Sequence, residues 1–217
     1  MSEFYTDAQR ALQEAFGTRP LADRLEAAIV TPALQPDQLD FVHGRDFCFL
    51  STVDADGFPS VSYKGGAPGF VRCPDVTTLV FPSYDGNGMF VSMGNVEACG
   101  RVGLLFMDFE VPRRVRVRGS ARLVREGPMV DSYPGADLVV EVAIERVWQN
   151  CPRYVHRMER VAASGHVPDA HGRARFAAWK RIDAVQDVLS VEDRAEALER
   201  GLLTAAEYEA LVESAAT

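Results

Sequence analysis

The pattern of hydrophobic and polar positions divides the chain into a helical start, a strand-rich middle and a helical end. A capping box formed by Thr6 and Gln9 predicts the start of a helix. Leu12 and Phe16 share one face of this helix. Apolar residues at positions 21, 25 and 29 predict a second short helix, and a third helical turn is expected at 39–42. We therefore expect residues 1–45 to form an N-terminal helical cover.

Between residues 46 and 157 the hydrophobic period becomes that of β-strands. The pattern predicts seven strands, at 47–53, 59–63, 76–81, 89–93, 102–107, 114–123 and 138–148. The first two flank Asp54-Ala55-Asp56-Gly57, a turn sequence typical of a hairpin. Short strands at such close spacing indicate an antiparallel β-barrel.

Helical spacing returns in residues 158–217, which we expect to form a C-terminal helical extension. Apolar residues at positions 176, 179, 182, 185 and 189 predict one helix. A helical hairpin is expected to follow, because Gly201 can end a helix over 191–200 and Thr204 and Glu207 form a second capping box.

Composition and charge narrow the classes of partner. A net charge of −8 argues against nucleic acid, and the chain contains no run of 18 apolar residues that would predict a transmembrane helix. The start, Met1 to Asp7, lacks the basic and apolar segments of a secretory signal. The four cysteines form no CxxC pair and the four histidines show no metal-ligand spacing. We expect a cytoplasmic protein with reduced thiols, no metal site and no membrane partner.

The densest chemical pattern is the glycine-rich segment from Tyr63 to Arg72. A lysine at a strand end, Lys64, followed by Gly65 and Gly66, can present positive charge and backbone N–H groups to an anion. The segment matches neither the P-loop pattern nor the GxGxxG dinucleotide pattern. The alternative is a glycine-rich connection with an exposed lysine, and the composition of this segment alone slightly favours that alternative.

A second polar cluster spans Phe81 to Met89 and continues through Ser92 to Asn95. If the strands pair in chain order, the two clusters lie close together. They then combine aromatic side chains, hydrogen-bonding groups and one cation, which is the set that a planar cofactor with a phosphate requires. For the run from Asp85 to Gly88 alone, a simple hairpin turn is the better interpretation.

Residues 47–124 resemble the FMN-binding split barrel of the pyridoxamine 5'-phosphate oxidase-related family. The resemblance rests on the joint order of the runs FLSTVDADGFPSVSYKGG, PGFVR, TLVFPSYDGNGM, SMGN and RRVRVRGSARLV, and with weaker flanking likeness it covers roughly residues 4–157. It implies a mainly-β fold, a six- to seven-stranded antiparallel split β-barrel with N- and C-terminal helices. It also implies a homodimer that holds FMN between its subunits. A barrel this small fills with side chains, so a ligand has to lie outside it, at a seam.

The resemblance also assigns site residues. Lys64 matches the family's strand-end lysine, and Phe81, Pro82 and Ser83 match the strand that lines the isoalloxazine. The family's oxidases carry a Ser-Arg-Lys run for the flavin phosphate, whereas this chain has Phe90-Val91-Ser92, which puts oxidation of pyridoxamine phosphate in doubt. Phosphate binding then has to use Lys64, other polar groups or an arginine such as Arg72. The expected cofactor-binding residues are Ser62, Tyr63, Lys64, Phe81, Pro82, Ser83, Asn87, Ser92, Met93, Asn95 and Arg116.

Two further segments leave alternatives open. Arg114, Arg116 and Arg118 share a strand face that could bind an acidic group, but a solvated face paired with Glu141 and Glu145 is the preferred interpretation, with Arg116 the exception. Residues 150–154 could close over a pocket or could simply end the last strand at Pro152.

The function expected from this combination is that of an FMN-binding oxidoreductase acting on an unknown small molecule. The pattern assigns no catalytic acid or base, and hydride transfer to a flavin can proceed from orientation alone. The alternatives are a non-catalytic flavin- or haem-binding protein, a deazaflavin-dependent reductase, and an interaction module with an empty barrel.

Overall fold

The computed structural model describes residues 4–214 in two compact units, Met1–Ala162 and Ala163–Thr217. Residues 1–3 and 215–217, at the ends of the predicted helical cover and extension, lie outside the described residues. Among the helices described, none has the length and apolar character needed to cross a membrane.

The first unit is built on one antiparallel sheet. Its strands are β1 (Phe47–Val53), β2 (Pro59–Gly65), β3 (Arg72–Asp75), β4 (Thr78–Tyr84), β5 (Arg101–Asp108), β6 (Arg113–Val124) and β7 (Ala136–Gln149). The strand order is β2-β1-β5-β6-β7-β4-β3, so β2 and β3 are the sheet's edges and the sheet is not closed. This confirms the predicted mainly-β split barrel.

Among the described residues, the first unit also contains five α-helices and the second unit contains two. They are α1 (Asp7–Ala15), α2 (Arg19–Ile29), α3 (Pro36–His43), α4 (Val91–Cys99), α5 (Pro128–Asp131), α6 (Val191–Arg200) and α7 (Ala205–Glu213). The capping boxes predicted at Thr6 and Thr204 are both present, with Gln9 and Glu207 as their reciprocal partners. Gly201 caps α6, as expected.

Alternation along the strands builds the core. In β1 every second residue, Cys48, Leu50 and Thr52, is buried, and each pairs with β2 on the inner face of the sheet. The predicted β1–β2 hairpin is confirmed, because the Asp54 carboxylate accepts hydrogen bonds from the Asp56 and Phe58 N–H groups. Gly57 takes the positive φ of 89° that this turn requires.

The strand predicted at 89–93 is wrong, because residues from Val91 onward form α4. Met89, Val91 and Met93 alternate like a strand, but Ser92, Met93 and Val96 are the residues that become buried, and their spacing is helical. Phe90, with φ 48°, turns the chain into the helix.

Two other local structures differ from expectation. The short edge strand β3 was not predicted, and it begins at Arg72, the last residue of the glycine-rich segment. The helix predicted over 176–189 is replaced by two 3-10 segments, Ala178–Arg181 and Asp183–Val185. The interval of three in its apolar residues fits a 3-10 turn equally well, and Ile182 is extended because it pairs with Leu203.

A half-buried ion pair joins two segments of the second unit. The Lys180 ammonium, only 7% exposed, donates to both carboxylate oxygens of Asp193 on α6, at 2.9 and 3.0 Å. Gln186 is also buried and donates to the Lys180 and Ile182 carbonyls. The pair therefore joins α6 to the 3-10 segment that precedes it.

Replacing Asp193 by Asn is expected to loosen this unit, because the buried Lys180 ammonium then loses its carboxylate. Hydrogen bonds to charged groups contribute about 1.5–3 kcal/mol, so amide exchange across α6 is expected to accelerate about 10- to 100-fold. The matched control is Glu192→Gln, an exposed carboxylate in the same helical turn. Equal protection in Asp193→Asn and the wild type would contradict a structural role for the pair.

Candidate functional site

The candidate site is organised around β2, which pairs with β1 along one side only. Ser62 and Lys64 lie opposite Leu50 and Cys48 on the inner face of the sheet, whereas Tyr63 lies opposite Phe49 on the outer face. Because β2 is an edge strand, a ligand lying along its free side can reach both faces and the strand's unpaired backbone groups.

Lys64 is a half-buried cation. Its register partner, Cys48, is fully buried, and burial raises the pKa of that thiol to about 12. Burial lowers the pKa of Lys64 itself. Within residues 4–214 its ammonium makes neither a hydrogen bond nor an ion pair, so this charge is available to an anion.

Packing against Phe70 requires a glycine at position 66, two residues after Lys64. A Cβ on Gly66 would lie 2.5 Å from Cβ and Cγ of Phe70, which is buried in the core. The Gly66 N–H donates to the Asp46 carbonyl at 2.8 Å, so it is occupied by the protein. In this loop the anion-binding character thus rests on Lys64 rather than on the Gly66 amide.

Helix α4 brings the second polar cluster onto β1 and β2. Ser92 Oγ donates to Ser62 Oγ at 3.0 Å, and Asn95 Nδ2 donates to Thr52 Oγ1 at 3.0 Å. Met93 is buried in the core beside them. The two serines present a polar pair near Lys64 on the same face of β2, while Asn95 and Met93 fix the helix in place.

The remaining members of the second cluster lie elsewhere. The strands do not pair in chain order, since β2 and β4 sit towards opposite ends of the sheet. Phe81 is fully buried in the core, and Pro82 and Ser83 are also buried, so this strand offers a ligand little side-chain surface. Asn87 is exposed in the β4–α4 loop, where its carboxamide oxygen accepts from the Met89 N–H. That loop leads into a helix, so the predicted hairpin turn at 85–88 is wrong.

The three arginines predicted to share a strand face, Arg114, Arg116 and Arg118, lie on the outer face of the sheet. Arg116 is exposed and its guanidinium lies 5.4 Å from the Trp148 ring, its cross-strand neighbour. Arg114 donates to the Cys151 carbonyl. The expected pairing with Glu141 and Glu145 is wrong, because Arg122 binds Glu141 and Ser120 binds Glu145.

Arg72, the alternative phosphate ligand, is engaged elsewhere. Its guanidinium donates to the Ser132 hydroxyl and carbonyl, at 2.7 and 2.8 Å, and lies 3.7 Å from the Tyr133 ring. Lys64 is therefore the cation at this site whose charge has no ion-pair partner among the described residues.

Sequence reasoning missed an aromatic cluster on the outer face. Phe47 stacks on Tyr63 with ring centroids 5.4 Å apart and on Phe109 at 5.9 Å, and Phe49 meets both Phe47 and Tyr63 edge to face. Tyr63 remains 62% exposed. The alternation of Phe47 and Phe49 in β1 is the sequence signal that could have predicted this aromatic cluster.

Residues 150–160 run along the end of the sheet nearest this cluster. The Met158 N–H donates to the Phe109 carbonyl at 3.1 Å, and Arg160 forms an ion pair with Asp46. Whether residues 150–154 close over a ligand stays a prediction. Of the described residues, no three His, Cys, Asp or Glu side chains gather as metal ligands would.

Solved structures similar to this chain cover slightly more than half of it. HupZ of Group A Streptococcus is 19% identical over 58% of this chain and 99% of its own, with a TM-score of 0.45. A Lactobacillus delbrueckii protein named as a pyridoxamine 5'-phosphate oxidase is 25% identical over 54% and 95%, with a TM-score of 0.44. HutZ, the haem storage protein of Vibrio cholerae, is 20% identical over 54% and 94%, with a TM-score of 0.39.

Family membership rests on sequence. No curated protein sequence matches the chain. The family model for pyridoxamine 5'-phosphate oxidase, in contrast, matches residues 34–151, which is more than half of the 217 residues and includes β1 to β7 with α4. The chain therefore belongs to the pyridoxamine 5'-phosphate oxidase family.

Proposed function

We propose that the chain binds FMN along the free edge of β2 and acts, as a homodimer, as an oxidoreductase on a small molecule. The observation that carries this proposal is Lys64, a half-buried ammonium with no ion pair among the described residues, on the same strand face as Ser62. A flavin phosphate supplies the anion that such a cation attracts.

The donor set fits each part of the cofactor. The Ser62–Ser92 hydroxyl pair beside Lys64 can donate to phosphate or ribityl oxygens. The exposed ring of Tyr63, held by its stack on Phe47, offers an apolar wall for a planar ring system. When bound, FMN supplies the redox chemistry.

The chain's own contribution is binding, orientation and charge. Lys64 would hold a positive charge at the phosphate end, and the Ser92–Ser62 bond would keep that end rigid because α4 is fixed by Asn95 and Thr52. Tyr63 would exclude water from one side of the ring. Arg116, exposed on the outer face, would meet an acidic group of the substrate or of the second subunit.

The dimer is proposed because the site is open on the protein's surface. Large apolar side chains near β2 are exposed in the single chain, which is unusual for a folded surface and indicates an interface. They are Phe58, Val61 and Tyr63 around β2, with Met89, Phe90 and Val91 before and at the start of α4. A second subunit over this surface would enclose the cofactor.

An absorption spectrum of the purified protein, recorded before and after FMN is added and combined with size exclusion, tests the proposal. Flavin bands that co-elute at twice 23.9 kDa would support it. A Soret band would indicate a haem protein instead, and uptake of a deazaflavin but not of FMN would change the cofactor. A colourless protein that takes up none of these would overturn the proposal.

FMN affinity is expected to fall at alkaline pH. Burial lowers the pKa of Lys64, so raising the pH removes its proton, and with it the charge that faces the phosphate, earlier than for a surface lysine. Lys64→Arg, which stays protonated, should keep its affinity over the same range. Dissociation constants measured by flavin fluorescence from neutral to alkaline pH check this, and parallel curves for the two proteins would refute it.

A further inference from the structure

Helices α1 and α2 form a hairpin with its apolar side turned outward. In the described part of the chain neither helix has a buried residue. Their large apolar side chains are exposed, with Leu12 at 61%, Phe16 at 78%, Leu21 at 58% and Leu25 at 43%. In each helix the two residues are four apart, so they share a face.

Ion pairs join the two helices of this hairpin. The side chain of Arg10, only 14% exposed, binds Asp23 at 2.7 Å and Glu26 at 3.1 Å, and Arg19 binds Glu14 at 2.7 Å. Isolated helices of 9 and 11 residues are marginal in water, and in proteins they depend on packing of an apolar face. The four exposed side chains are therefore the face that should be covered.

The hairpin is attached to β7 by a backbone bridge at the strand's edge and by an aromatic contact on the outer face. Thr31 and Val147 of β7 exchange backbone hydrogen bonds of 2.9 and 2.8 Å at its C-terminal end. At its other end the Phe4 ring lies 5.3 Å from the Trp148 ring, edge to face. Both ends of the hairpin are thus fixed on β7, and its apolar face is free.

A continuous row of side chains crosses the outer face from β7 to β2. The strand registers place Trp148, Arg116, Leu105, Phe49 and Tyr63 opposite one another in turn. At the β2 end of this row lies a second uncovered apolar surface, which we call the β2 patch and which comprises Phe58, Val61 and Tyr63. One chain therefore carries two uncovered apolar surfaces, at opposite ends of one row.

We propose that the α1–α2 hairpin of each copy covers the β2 patch, and hence the Tyr63 side of the cofactor site, of a second copy. A twofold axis parallel to the strands and above β5 places the β7 side of one sheet over the β2 side of the other. In such an isologous dimer each copy covers the other in the same way. The proposal rests on the dimeric FMN protein proposed above and adds what the second copy contributes to the site.

Cross-linking between different chains tests this arrangement directly. Phe16→Cys and Val61→Cys chains are co-expressed with different tags in a background in which the exposed Cys99 and Cys151 are replaced by Ser. Under mild oxidation a disulfide between the two chains is expected in most of the mixed dimers. Glu14→Cys paired with Val61→Cys is the matched control, because Glu14 lies on the opposite face of α1. Equal cross-linking by both pairs, or none by the first, would overturn the proposal.

A second variant separates this inference from the proposed function. Leu12→Ser combined with Phe16→Ser should raise the dimer dissociation constant about 100-fold or more, because each copy loses two apolar contacts, and should weaken FMN binding with it. Val188→Ser, 77% exposed in the second unit, should change neither. If the double variant stays a dimer with wild-type FMN affinity, the hairpin does not cover the site, although the FMN dimer stands. If wild-type protein takes up no FMN, the proposed function fails, and the cross-link still reports whether the hairpin docks.

Discussion

A Gly119→Ala variant is expected to unfold about 2–12 °C below the wild type. A Cβ on Gly119 would lie 2.1 Å from the carbonyl oxygen of Ala143 and 3.0 Å from its carbonyl carbon. Both are backbone atoms of β7, so the strands themselves would have to separate. Overpacking costs about 1–3 kcal/mol and more where the backbone must move, and in a protein of this size each kcal/mol lowers Tm by about 2–4 °C.

Thermal unfolding followed by circular dichroism measures this effect, with Gly103→Ala as the matched control. Gly103 lies in the neighbouring strand, β5, but the nearest atom to its added Cβ would be Ser51 Cβ at 3.8 Å, an ordinary contact. That substitution should leave Tm unchanged or raise it slightly, because Ala restricts the unfolded chain. A Gly119→Ala protein that melts with the wild type would contradict the close approach of β6 and β7.

This glycine also affects the outer face. The register between β6 and β7 shifts between Arg118 and Gly119, as at a β-bulge. The pairing passes from Arg118–Arg146 to Gly119–Ile144, so the extra residue is Glu145 of β7. Because side chains alternate between faces, this residue decides which side chains of β7 face outward on each side of it. Arg116 lies opposite Trp148 before the shift, and Arg122 lies opposite Glu141 after it. Loosening the bulge should therefore disturb the row of side chains on which the proposed dimer depends.

Most of the sheet could be predicted because burial imposes a period of two on its strands. Cys48, Leu50 and Thr52 show this alternation, and the adjacent turn fixes β2 against β1. The prediction failed at α4, where Met89, Val91 and Met93 satisfy the same period although the buried set is helical. It failed again near Ile182, since a bridge to Leu203, a residue 21 positions away, decides the local backbone. The local hydrophobic period does not predict pairing between residues that are far apart in the sequence.

Less of the site could be predicted, because it depends on strand order. The sequence places Ser62 and Lys64 on one face of a strand by their spacing alone. It does not show that Ser92 would reach Ser62, since that contact requires α4 to be a helix and to pack on β1 and β2. Phe81, assigned to the flavin by resemblance, lies wholly in the core, and only the folded sheet shows which face of β4 points inward.

Replacing Lys64 by Ala is expected to weaken FMN binding about 10- to 100-fold. The ammonium is half-buried and, within residues 4–214, has no ion pair of its own, so a bound phosphate would provide its charge-assisted hydrogen bond. Such a bond contributes about 1.5–3 kcal/mol, which corresponds to that loss in affinity. Fluorescence titration of FMN measures it, and circular dichroism verifies that the variant remains folded.

The control variants separate charge from packing at this position. Lys64→Arg keeps the charge and should retain most of the affinity, whereas Lys64→Met keeps the side-chain volume without the charge and should lose as much affinity as Lys64→Ala. Riboflavin, which lacks the phosphate, should bind wild type and Lys64→Ala with nearly equal affinity if Lys64 acts on the phosphate. An equal loss for riboflavin and FMN would instead place Lys64 against the ring system. Unchanged FMN affinity in Lys64→Ala would remove this lysine from the site, and with it the observation that identifies the edge of β2 as the place where the cofactor binds.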